Sequence, residues 1–273
     1  MIDICVNLLK KVRKNKPLIH HITNYVTVND CANITLGIGA SPVMADAISE
    51  VADITAISSA LVLNMGTLNE RTVESMIAAG KSANLKGVPI VFDPVGAGAS
   101  KFRNETASYL INEIKLSVIR GNISEIKALA GLNSETKGVD AAENDITDSD
   151  NVGKITRSLA QKLGTVVVIS GAVDTVSDGS KIIYIENGHP MLANLTGSGC
   201  MCTSLIGSFC GAAKEDKYIA ASATAMLCMS IAGEVAYKNA GHLGNGSFHV
   251  ALHDAISRMD EKTIERSAKI REA

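Results

Sequence analysis

The sequence predicts an α/β protein in which a central, mostly parallel sheet lies between helices on both of its faces. Three nearly continuous apolar runs, ALVLNMG (60–66), PIVFDPVG (89–96) and TVVVISG (165–171), alternate with amphipathic segments. Strands that are buried on both faces have this continuous pattern, whereas half-exposed strands alternate between apolar and polar residues. The alternation of such strands with helices indicates a three-layer α/β fold.

Length and composition favour one large domain. The chain has 273 residues, of which 46% are hydrophobic and 20% are charged. A chain of this size can bury most of its surface in one core, and this composition excludes bulk disorder. We found no internal repeat and no linker, so residues 1–273 are predicted to form a single domain.

The remaining elements follow from hydrophobic spacing and from turn residues. An amphipathic helix is expected to end near Lys14, and Pro17 then opens the extended run LIHHITN. The segment 174–189 reads as a β-hairpin that turns at Asp178-Gly179. Further helices are expected near 28–36, 70–85, 109–114 and 152–163, two closely packed helices over 199–237, a short strand at 41–45, and an exposed acidic loop with Asp145, Asp148 and Asp150 over 142–150.

Charge and composition argue against several classes of partner. The formal net charge is −2, Trp is absent and aromatic residues make up 3%, so we expect no nucleic-acid surface. The N-terminus lacks the order of a signal peptide, and we found no uninterrupted apolar run of membrane-spanning length, which predicts a cytoplasmic protein without a membrane partner. The six cysteines lack C-x-x-C spacing and are interpreted as small buried side chains.

Polar side chains follow the predicted strands at one edge of the sheet. Asn24, Asp93, Arg120 and Ser170 each stand at or just beyond an apolar run, and Glu125 follows shortly after Arg120. Ligands of open α/β sheets bind beyond the carboxyl ends of the strands. Loops often begin with polar residues, but the coincidence at four strands favours a functional site.

The strongest local signal is the loop Leu195-Thr196-Gly197-Ser198-Gly199-Cys200, which leads into a long apolar helix. Glycines allow close approach of a ligand, and the start of a helix offers free N–H groups to an anion. The loop has no Lys and therefore differs from a Walker A P-loop. We interpret it as an anion site for a transferring phosphoryl group.

Asp93 and Glu125 are the candidate magnesium ligands. Magnesium prefers oxygen ligands and is commonly held by one or two carboxylates together with substrate phosphates. Glu125 also has the Asn-x-x-Glu spacing of a helix cap after Asn122, and the two roles are compatible. Arg120 suits a polyphosphate because its guanidinium is permanently charged and bidentate.

Four stretches together resemble the hydroxyethylthiazole kinase family of the ribokinase-like superfamily over nearly the whole chain. They are PLIHHITNYVTVNDCANITLGIGASPVMA, VFDPVGAGAS, VIRGNISEI and ANLTGSGCMCTSLIGSF. The resemblance implies a ribokinase-like fold and ATP-dependent phosphorylation of the alcohol of 4-methyl-5-(2-hydroxyethyl)thiazole in thiamine biosynthesis. It also implies magnesium as cofactor and a homotrimer with active sites at the subunit interfaces.

The same resemblance assigns roles to individual positions. It places the substrate at Asn24, Met44 and Gly197, ATP at Arg120 and Ser170, and magnesium at Asp93 and Glu125. Ribokinase-like enzymes generally have an Asp after the second glycine of the loop, whereas this chain has Cys200, as the thiazole kinases do. An ordinary thiol is a poor substitute for a carboxylate base, although a helix N-terminus can lower its pKa. We therefore assign Cys200 to orienting the hydroxyl, with proton acceptance left open and covalent catalysis disfavoured.

The sequence leaves three functions to be distinguished. The first is a hydroxyethylthiazole kinase. The second is another ribokinase-like activity, such as a hydroxymethylpyrimidine kinase or a nicotinamide-nucleotide hydrate dehydratase, for which an Asp is expected in place of Cys200. The third is a nucleotide-binding protein without activity, for which loss of the acids or of the glycine loop is expected. The pair His20-His21 is not expected to chelate one ion, because neighbouring residues on a strand face opposite sides.

Overall fold

One mixed sheet runs through the protein. The computed structural model describes residues 1–131, 149–213 and 217–273. Within these residues the sheet has nine strands in the order β2-β1-β3-β4-β5-β6-β7-β8-β9. All pairs from β2 to β6 are parallel, and those from β6 to β9 are antiparallel. The strands are β1 Leu18–Ile22, β2 Ser41–Met44, β3 Ala60–Asn64, β4 Ile90–Asp93, β5 Val118–Asn122, β6 Val166–Ser170, β7 Asp174–Ser177, β8 Ile182–Ile185 and β9 Ile270–Glu272.

The α-helices of the described residues connect these strands and continue beyond them. We number them α1 Ile2–Asn15, α2 Val28–Ile38, α3 Val51–Ala56, α4 Glu70–Lys86, α5 Lys101–Glu113, α6 Ile123–Leu129, α7 Ser149–Leu163, α8 Ser198–Ala212, α9 Tyr218–Ala240, α10 Asn245–Ser257 and α11 Glu261–Ser267. Short 3-10 helices lie at Pro190–Asn194 and Gly241–Leu243.

Both faces of the sheet are covered, as the apolar runs predicted. Along β4, Val91 belongs to one apolar cluster, whereas its neighbours Ile90 and Phe92 belong to a second cluster. Successive side chains of a strand point to opposite faces, so the two clusters lie on the two sides of the sheet. The first cluster includes residues of α1, α2 and α8 to α11, and the second includes residues of α3 to α7. The three-layer α/β prediction is therefore confirmed.

The hairpin and the helix starts are explained by local side-chain chemistry. Strands β7 and β8 pair antiparallel, and Gly179 in their turn has φ +92°. The Asp178 carboxylate accepts hydrogen bonds from the backbone N–H groups of Ser180 and Lys181. Helix α4 begins at a capping box, in which the Asn69 side chain accepts from the Thr72 backbone N–H and the Thr72 side chain accepts from the Asn69 backbone N–H.

The structure extends and corrects the predicted elements. Helix α7 starts at Ser149, about one turn before the predicted start at Val152. Asp150 therefore lies in the first turn of this helix and not in the expected acidic loop. Asp145 and Asp148 lie outside the described residues. The short helix α3, the C-terminal helices α10 and α11 and the edge strand β9 were not predicted.

Helix α9 is the central apolar helix of the first layer. The segment Tyr218–Leu243 is long and apolar enough to cross a membrane, but 83% of its most apolar window is buried inside the protein. Such burial is typical of a core helix. All six cysteines are free, and only Cys200 is partly exposed, which confirms that they form no disulfide framework.

Candidate active site

Parallel strands deliver a row of polar residues to one edge of the sheet. Asn24 follows β1, Asn64 and Asp93 are the last residues of β3 and β4, and Asn64 is paired in register with Asp93. Arg120 lies in β5 opposite Val168 of β6, and Ser170 ends β6. Helix α8 begins at the glycine loop above this edge, so the predicted polar edge and the predicted anion loop meet.

Two buried carboxamides hold the Cys200 sulfur. The side-chain N–H groups of Asn24 and Asn64 both lie 3.3 Å from Cys200 Sγ. Asn24 Nδ2 also donates to Asn64 Oδ1 at 2.9 Å, and Asn64 Nδ2 donates to Asp93 Oδ2 at 3.0 Å. The oxygen of Asn24 accepts from the Thr27 amide and hydroxyl. Every polar atom of these carboxamides has a partner, so their orientation is fixed before any ligand binds.

Asp93 is the buried charge of the site. Its Oδ2 accepts from Asn64 and, at 2.7 Å, from Thr203 Oγ1, and lies 3.8 Å from Arg120 Nη1. Its Oδ1 is buried and has no hydrogen-bond partner among the described residues. Burial, reinforced by the charge of Glu125, raises the pKa of Asp93 to about 6 against the opposing effect of Arg120. A carboxylate with one unused oxygen beside a second acid is suited to a cation.

Arg120 and Ser170 lie on the wall of a cavity at this edge of the sheet. Arg120 Nη2 donates to Ser170 Oγ at 2.8 Å. Both residues line a cavity of about 470 Å³ together with Gly171, Ser198 and Gly199. Burial opposes the charge of Arg120, but Asp93, Cys202, Glu125 and Cys200 together outweigh it, and the pKa of the guanidinium is raised. The cavity thus combines a fixed positive charge with the N-terminus of α8, an arrangement that binds phosphates.

Glu125 forms the capping box that its spacing indicated. Its Oε2 accepts from the Asn122 backbone N–H, and the Asn122 side chain accepts from the Glu125 N–H. Its Oε1 accepts from the Gly96 N–H at 2.8 Å, which ties the loop after β4 to the start of α6. Each carboxylate oxygen keeps a free lone pair, so capping and participation at a cation site remain compatible.

The glycine loop is shaped by close contacts. Gly197 has φ +88°, and a Cβ added there would lie 2.5 Å from Thr27 Cγ2. A Cβ on Gly199 would lie 2.6 Å from Arg120 Nη1. Both positions therefore require glycine, one because of its backbone conformation and both because of what lies against them. Cys200 is in the first turn of α8, as predicted.

The Cys200 thiol is held in its neutral form. Burial, followed by the negative charge of Asp93, raises its pKa above the ordinary value, and hydrogen bonds from Thr27, Asn24 and Asn64 only partly oppose this. Desolvation and the nearby carboxylate therefore favour the neutral thiol over the thiolate. Two N–H groups directed at Sγ leave the S–H free to point towards a bound ligand.

Met44 lies in a second pocket. It ends β2 and lines a cavity of about 310 Å³ with His21, Thr23, Tyr25 and Asp46. The first cavity shares no lining residue with it. His20 and His21 are both buried, and their rings have different partners: Thr55 and Ala45 for His20, and the Ile19 carbonyl for His21. The two rings therefore have separate partners, as expected for neighbouring residues on a strand.

Sequence reasoning missed Asn64, Thr203 and Arg103. Asn64 ends an apolar run just as Asp93 does, so the same rule could have found it. Thr203 lies one turn inside an apolar helix, where nothing in the pattern distinguishes it. The Arg103 guanidinium donates to the backbone carbonyls of Met65, Gly66 and Val95 and so joins the loops that follow β3 and β4.

Comparison with known proteins agrees with this geometry. The model of the hydroxyethylthiazole kinase family matches residues 9–262. A hydroxyethylthiazole kinase of Ruminiclostridium cellulolyticum is 59% identical over 265 residues, which cover 97% of this chain and 96% of that protein. The structure of the Pyrococcus horikoshii hydroxyethylthiazole kinase superposes with a TM-score of 0.90 at 39% identity, covering 99% of both chains.

A more distant neighbour shows the fold alone. A ribokinase-like superfamily protein of Enterococcus faecalis matches with a TM-score of 0.62 at 12% identity, covering 96% of this chain and 95% of that one. The predicted ribokinase-like fold is thereby confirmed.

Proposed function

We propose that this chain, which belongs to the hydroxyethylthiazole kinase family, transfers the γ-phosphoryl group of ATP to the hydroxyl of 4-methyl-5-(2-hydroxyethyl)thiazole in thiamine biosynthesis. The observation that carries the proposal is the row in which hydrogen bonds join Asn24, Asn64 and Asp93 and an ion pair joins Asp93 to Arg120, next to the glycine loop. Phosphoryl transfer depends mainly on positioning and charge neutralisation, and this row supplies both.

The nucleotide is assigned to the cavity of Arg120 and Ser170. Its polyphosphate would meet the Arg120 guanidinium and the first-turn N–H groups of α8, which are suited to an anion. The substrate oxygen attacks the γ-phosphorus, the bond to the β–γ bridging oxygen breaks, ADP leaves and the hydroxyl proton passes to solvent water. The same positive groups would stabilise the charge that develops on the transferred group.

Magnesium fits the carboxylates of this site. Asp93 offers a buried oxygen that has no partner among the residues the structure describes, and Glu125 adds a second negative charge that raises the pKa of Asp93 in the absence of a cation. A bound magnesium ion would neutralise phosphate charge and favour the ionised form of Asp93. We assign Asp93 and Glu125 to holding it, with Glu125 also retaining its capping bonds.

Cys200 is assigned to orienting the acceptor hydroxyl. Its thiol is neutral, and its sulfur is fixed by Asn24 and Asn64. A neutral S–H can donate a weak hydrogen bond to a substrate oxygen but cannot remove a proton. The thiazole ring is assigned to the region between Asn24, Gly197 and the Met44 pocket of a neighbouring subunit, since Met44 lines a different cavity in its own chain.

A direct assay tests the activity. We expect purified protein to release ADP from ATP and magnesium when the thiazole alcohol is added. The matched ligand with an ethyl group in place of hydroxyethyl should give no release, because it lacks the acceptor oxygen. Absence of alcohol-dependent ADP release from folded protein would contradict the proposal.

The metal assignment has its own test. Asp93→Asn and Glu125→Gln should each lower kcat by at least about 100-fold, because preorganised charge at the transferred group is lost. Binding of the thiazole alcohol, measured by calorimetry, should be nearly unchanged. Asp178→Asn in the distant hairpin turn serves as control and should retain full activity. Equal turnover of the Asp93 variant at saturating magnesium would refute the assignment.

We further propose that residues 1–273 act as one domain of a cytoplasmic homotrimer with interfacial active sites. The single sheet that runs from β2 to β9 supports the first part. Exposed apolar side chains near the Met44 pocket support the second, with Tyr25 79% and Val26 57% exposed.

A further inference from the structure

A second group of ligand-type side chains lies outside the row of strand-end residues. Asp30 is on α2, and His249 and His253 are on α10. One ligand atom from each of them lies within 4.8 Å of the other two. None of these residues has a role in the phosphoryl transfer derived above, so the cluster needs its own explanation.

The distances within the cluster match those between the ligands of a tetrahedral metal ion. His249 Nε2 and His253 Nε2 are 3.3 Å apart, and they lie 3.0 Å and 3.6 Å from Asp30 Oδ1. Metal–ligand bonds of about 2.0–2.1 Å at tetrahedral angles place ligand atoms about 3.3–3.4 Å apart. An ion between the three atoms would need only small side-chain shifts and would leave a fourth position for water.

Helix geometry sets this arrangement in advance. Residues four apart lie on the same face of a helix, which is the spacing used by paired histidine ligands of zinc enzymes. Helix α10 packs against α2, which brings Asp30 to that face. The side chains of His249, His253 and Asp30 are 32%, 23% and 22% exposed, so an ion can reach them from solvent.

Hydrogen bonding alone explains the cluster less well. If both Nε2 atoms carry hydrogen, two donors face each other at 3.3 Å, and His253 lies too far from Asp30, at 3.6 Å, for a hydrogen bond. A shared cation would satisfy all three atoms together.

We propose that Asp30, His249 and His253 bind a divalent transition-metal ion of the zinc class. Two imidazoles and one carboxylate favour zinc, cobalt or nickel over magnesium, which prefers oxygen ligands. The ion would tie α2 to α10 beside the glycine loop, since Asp30 Oδ2 lies 4.0 Å from the position of a Cβ on Gly197. Its role is structural, because the chemistry proposed for the kinase site does not require it.

Metal titration of the full chain tests the site. Protein treated with a chelator and returned to buffer with excess magnesium should bind one zinc ion per chain in calorimetry. Cobalt should give the d–d absorption of a four-coordinate nitrogen and oxygen site, and zinc should raise the Tm. His249→Ala, His253→Ala and Asp30→Asn should each weaken zinc binding at least about tenfold, since even indirect loss of support costs that much.

The control is His242→Ala, which removes an exposed histidine of the nearby 3-10 helix and should leave zinc affinity unchanged. Alanine is a strong helix former, so the α10 variants should fold, and circular dichroism checks this. Absence of zinc binding to folded protein, or an affinity unchanged in His253→Ala, would overturn the proposal. So would a sulfur-to-cobalt charge-transfer band, which would place the ion on cysteine.

Discussion

Two buried aspartates lie on opposite sides of Arg120, and their different surroundings suit them to different tasks. The pKa of each is raised to about 6, with burial as the largest cause. Asp93 keeps one oxygen without a partner among the described residues. Asp174 has both oxygens satisfied, by the Gly171 N–H and by Ser230 Oγ, each at 3.0 Å. The first is thus suited to a ligand, and the second supports the cavity wall.

Asp174→Asn should stabilise the protein at alkaline pH. A folded-state pKa of about 6 lies above the ordinary 3.8, so the folded state binds this proton more tightly and stability falls as pH rises through this window. The full cost above pH 6 corresponds to roughly 3 kcal/mol. Urea unfolding should show that the variant is more stable than the wild type at pH 8. The difference in unfolding free energy between variant and wild type should be larger at pH 8 than at pH 4.5, by about 2 kcal/mol.

Asp178→Asn is the control of opposite sign. Despite some burial, hydrogen bonds from Lys181 and Ser180 hold the pKa of Asp178 below its usual value. This carboxylate therefore stabilises the fold above its unfolded pKa, and its removal should lower stability at pH 8. A gain in both variants would show that the stabilisation does not come from burial of the Asp174 charge.

Thr203→Val should weaken the support of Asp93. The Thr203 hydroxyl donates to Asp93 Oδ2 at 2.7 Å, and valine keeps the shape but leaves a buried carboxylate with one bond fewer. We expect a loss of about 1–3 kcal/mol in unfolding free energy and a lower kcat. Thr203→Ser retains the hydroxyl and should lose less of both. If valine retained the wild-type values and serine lost them, the methyl group and not the hydrogen bond to Asp93 would be what matters.

At the scale of elements, the glycine loop links the starts of helices α8 and α2. Gly197 begins α8 with φ +88°, and its Cα faces the Thr27 methyl group at the start of α2. Thr27 in turn holds the carboxamide oxygen of Asn24. A change at the loop is therefore transmitted to the side chain that fixes Cys200.

Gly197→Ala should lower turnover roughly 10- to 100-fold, because the new Cβ displaces Thr27 and with it Asn24. Adding Thr27→Ser removes the methyl group at 2.5 Å and keeps the hydroxyl that binds Asn24, so activity should be partly restored. The positive φ remains, so full recovery is not expected. Steady-state kinetics of the single and double variants measure this.

The matched control is Gly246→Ala. Gly246 lies in α10, and a Cβ added there would meet no atom within 4 Å. It should be neutral or slightly stabilising, since alanine loses less entropy in a helix. A double variant no more active than Gly197→Ala would show that backbone conformation, and not the Thr27 contact, causes the loss.

The elements that the sequence predicted correctly are those with long continuous patterns. Strands β3, β4 and β6 were predicted because burial on both faces leaves unbroken apolar runs. Helix α4 was predicted as one of the amphipathic segments between the strands, and helices α8 and α9 from a long segment with few charges. Helix α3 has only six residues, too few to show a helical period. Strand β9 is exposed at the sheet edge and carries Arg271 and Glu272, so its pairing with β8 depends on tertiary contacts that no local pattern encodes.

At the scale of the whole molecule, the strand order decides which residues meet. Arg120 and Asp93 could be placed near one edge from sequence because both follow apolar runs that form neighbouring parallel strands. The contact of Thr27 with Gly197, 170 positions later, depends on how α8 packs over the sheet. The assignment of Met44 to the substrate came from resemblance, and within one chain it lines a separate pocket. We therefore propose that Met44 meets the Arg120 cavity of a neighbouring chain in an oligomer.

The assembly should be a trimer in which a neighbour's Met44 pocket completes each site. In one chain that pocket is bordered by Tyr25, which is 79% exposed, beside Val26 at 57% and Ile48 at 53%. Clustered exposed apolar side chains usually mark an interface. Light scattering should give three times the 28.6 kDa chain mass. Val26→Asp should dissociate the trimer and abolish alcohol-dependent turnover together, since a charge cannot be buried there without a partner.

Leu85→Asp separates this effect from a general loss of surface apolarity. Leu85 is 87% exposed on α4, and its replacement should change neither mass nor turnover. ATP binding to the Arg120 cavity should survive in monomeric Val26→Asp, because every residue assigned to ATP comes from the same chain. A monomer that still phosphorylates the alcohol at the wild-type rate would mean that each chain holds a complete site, and that Met44 does not contact the substrate of a neighbour.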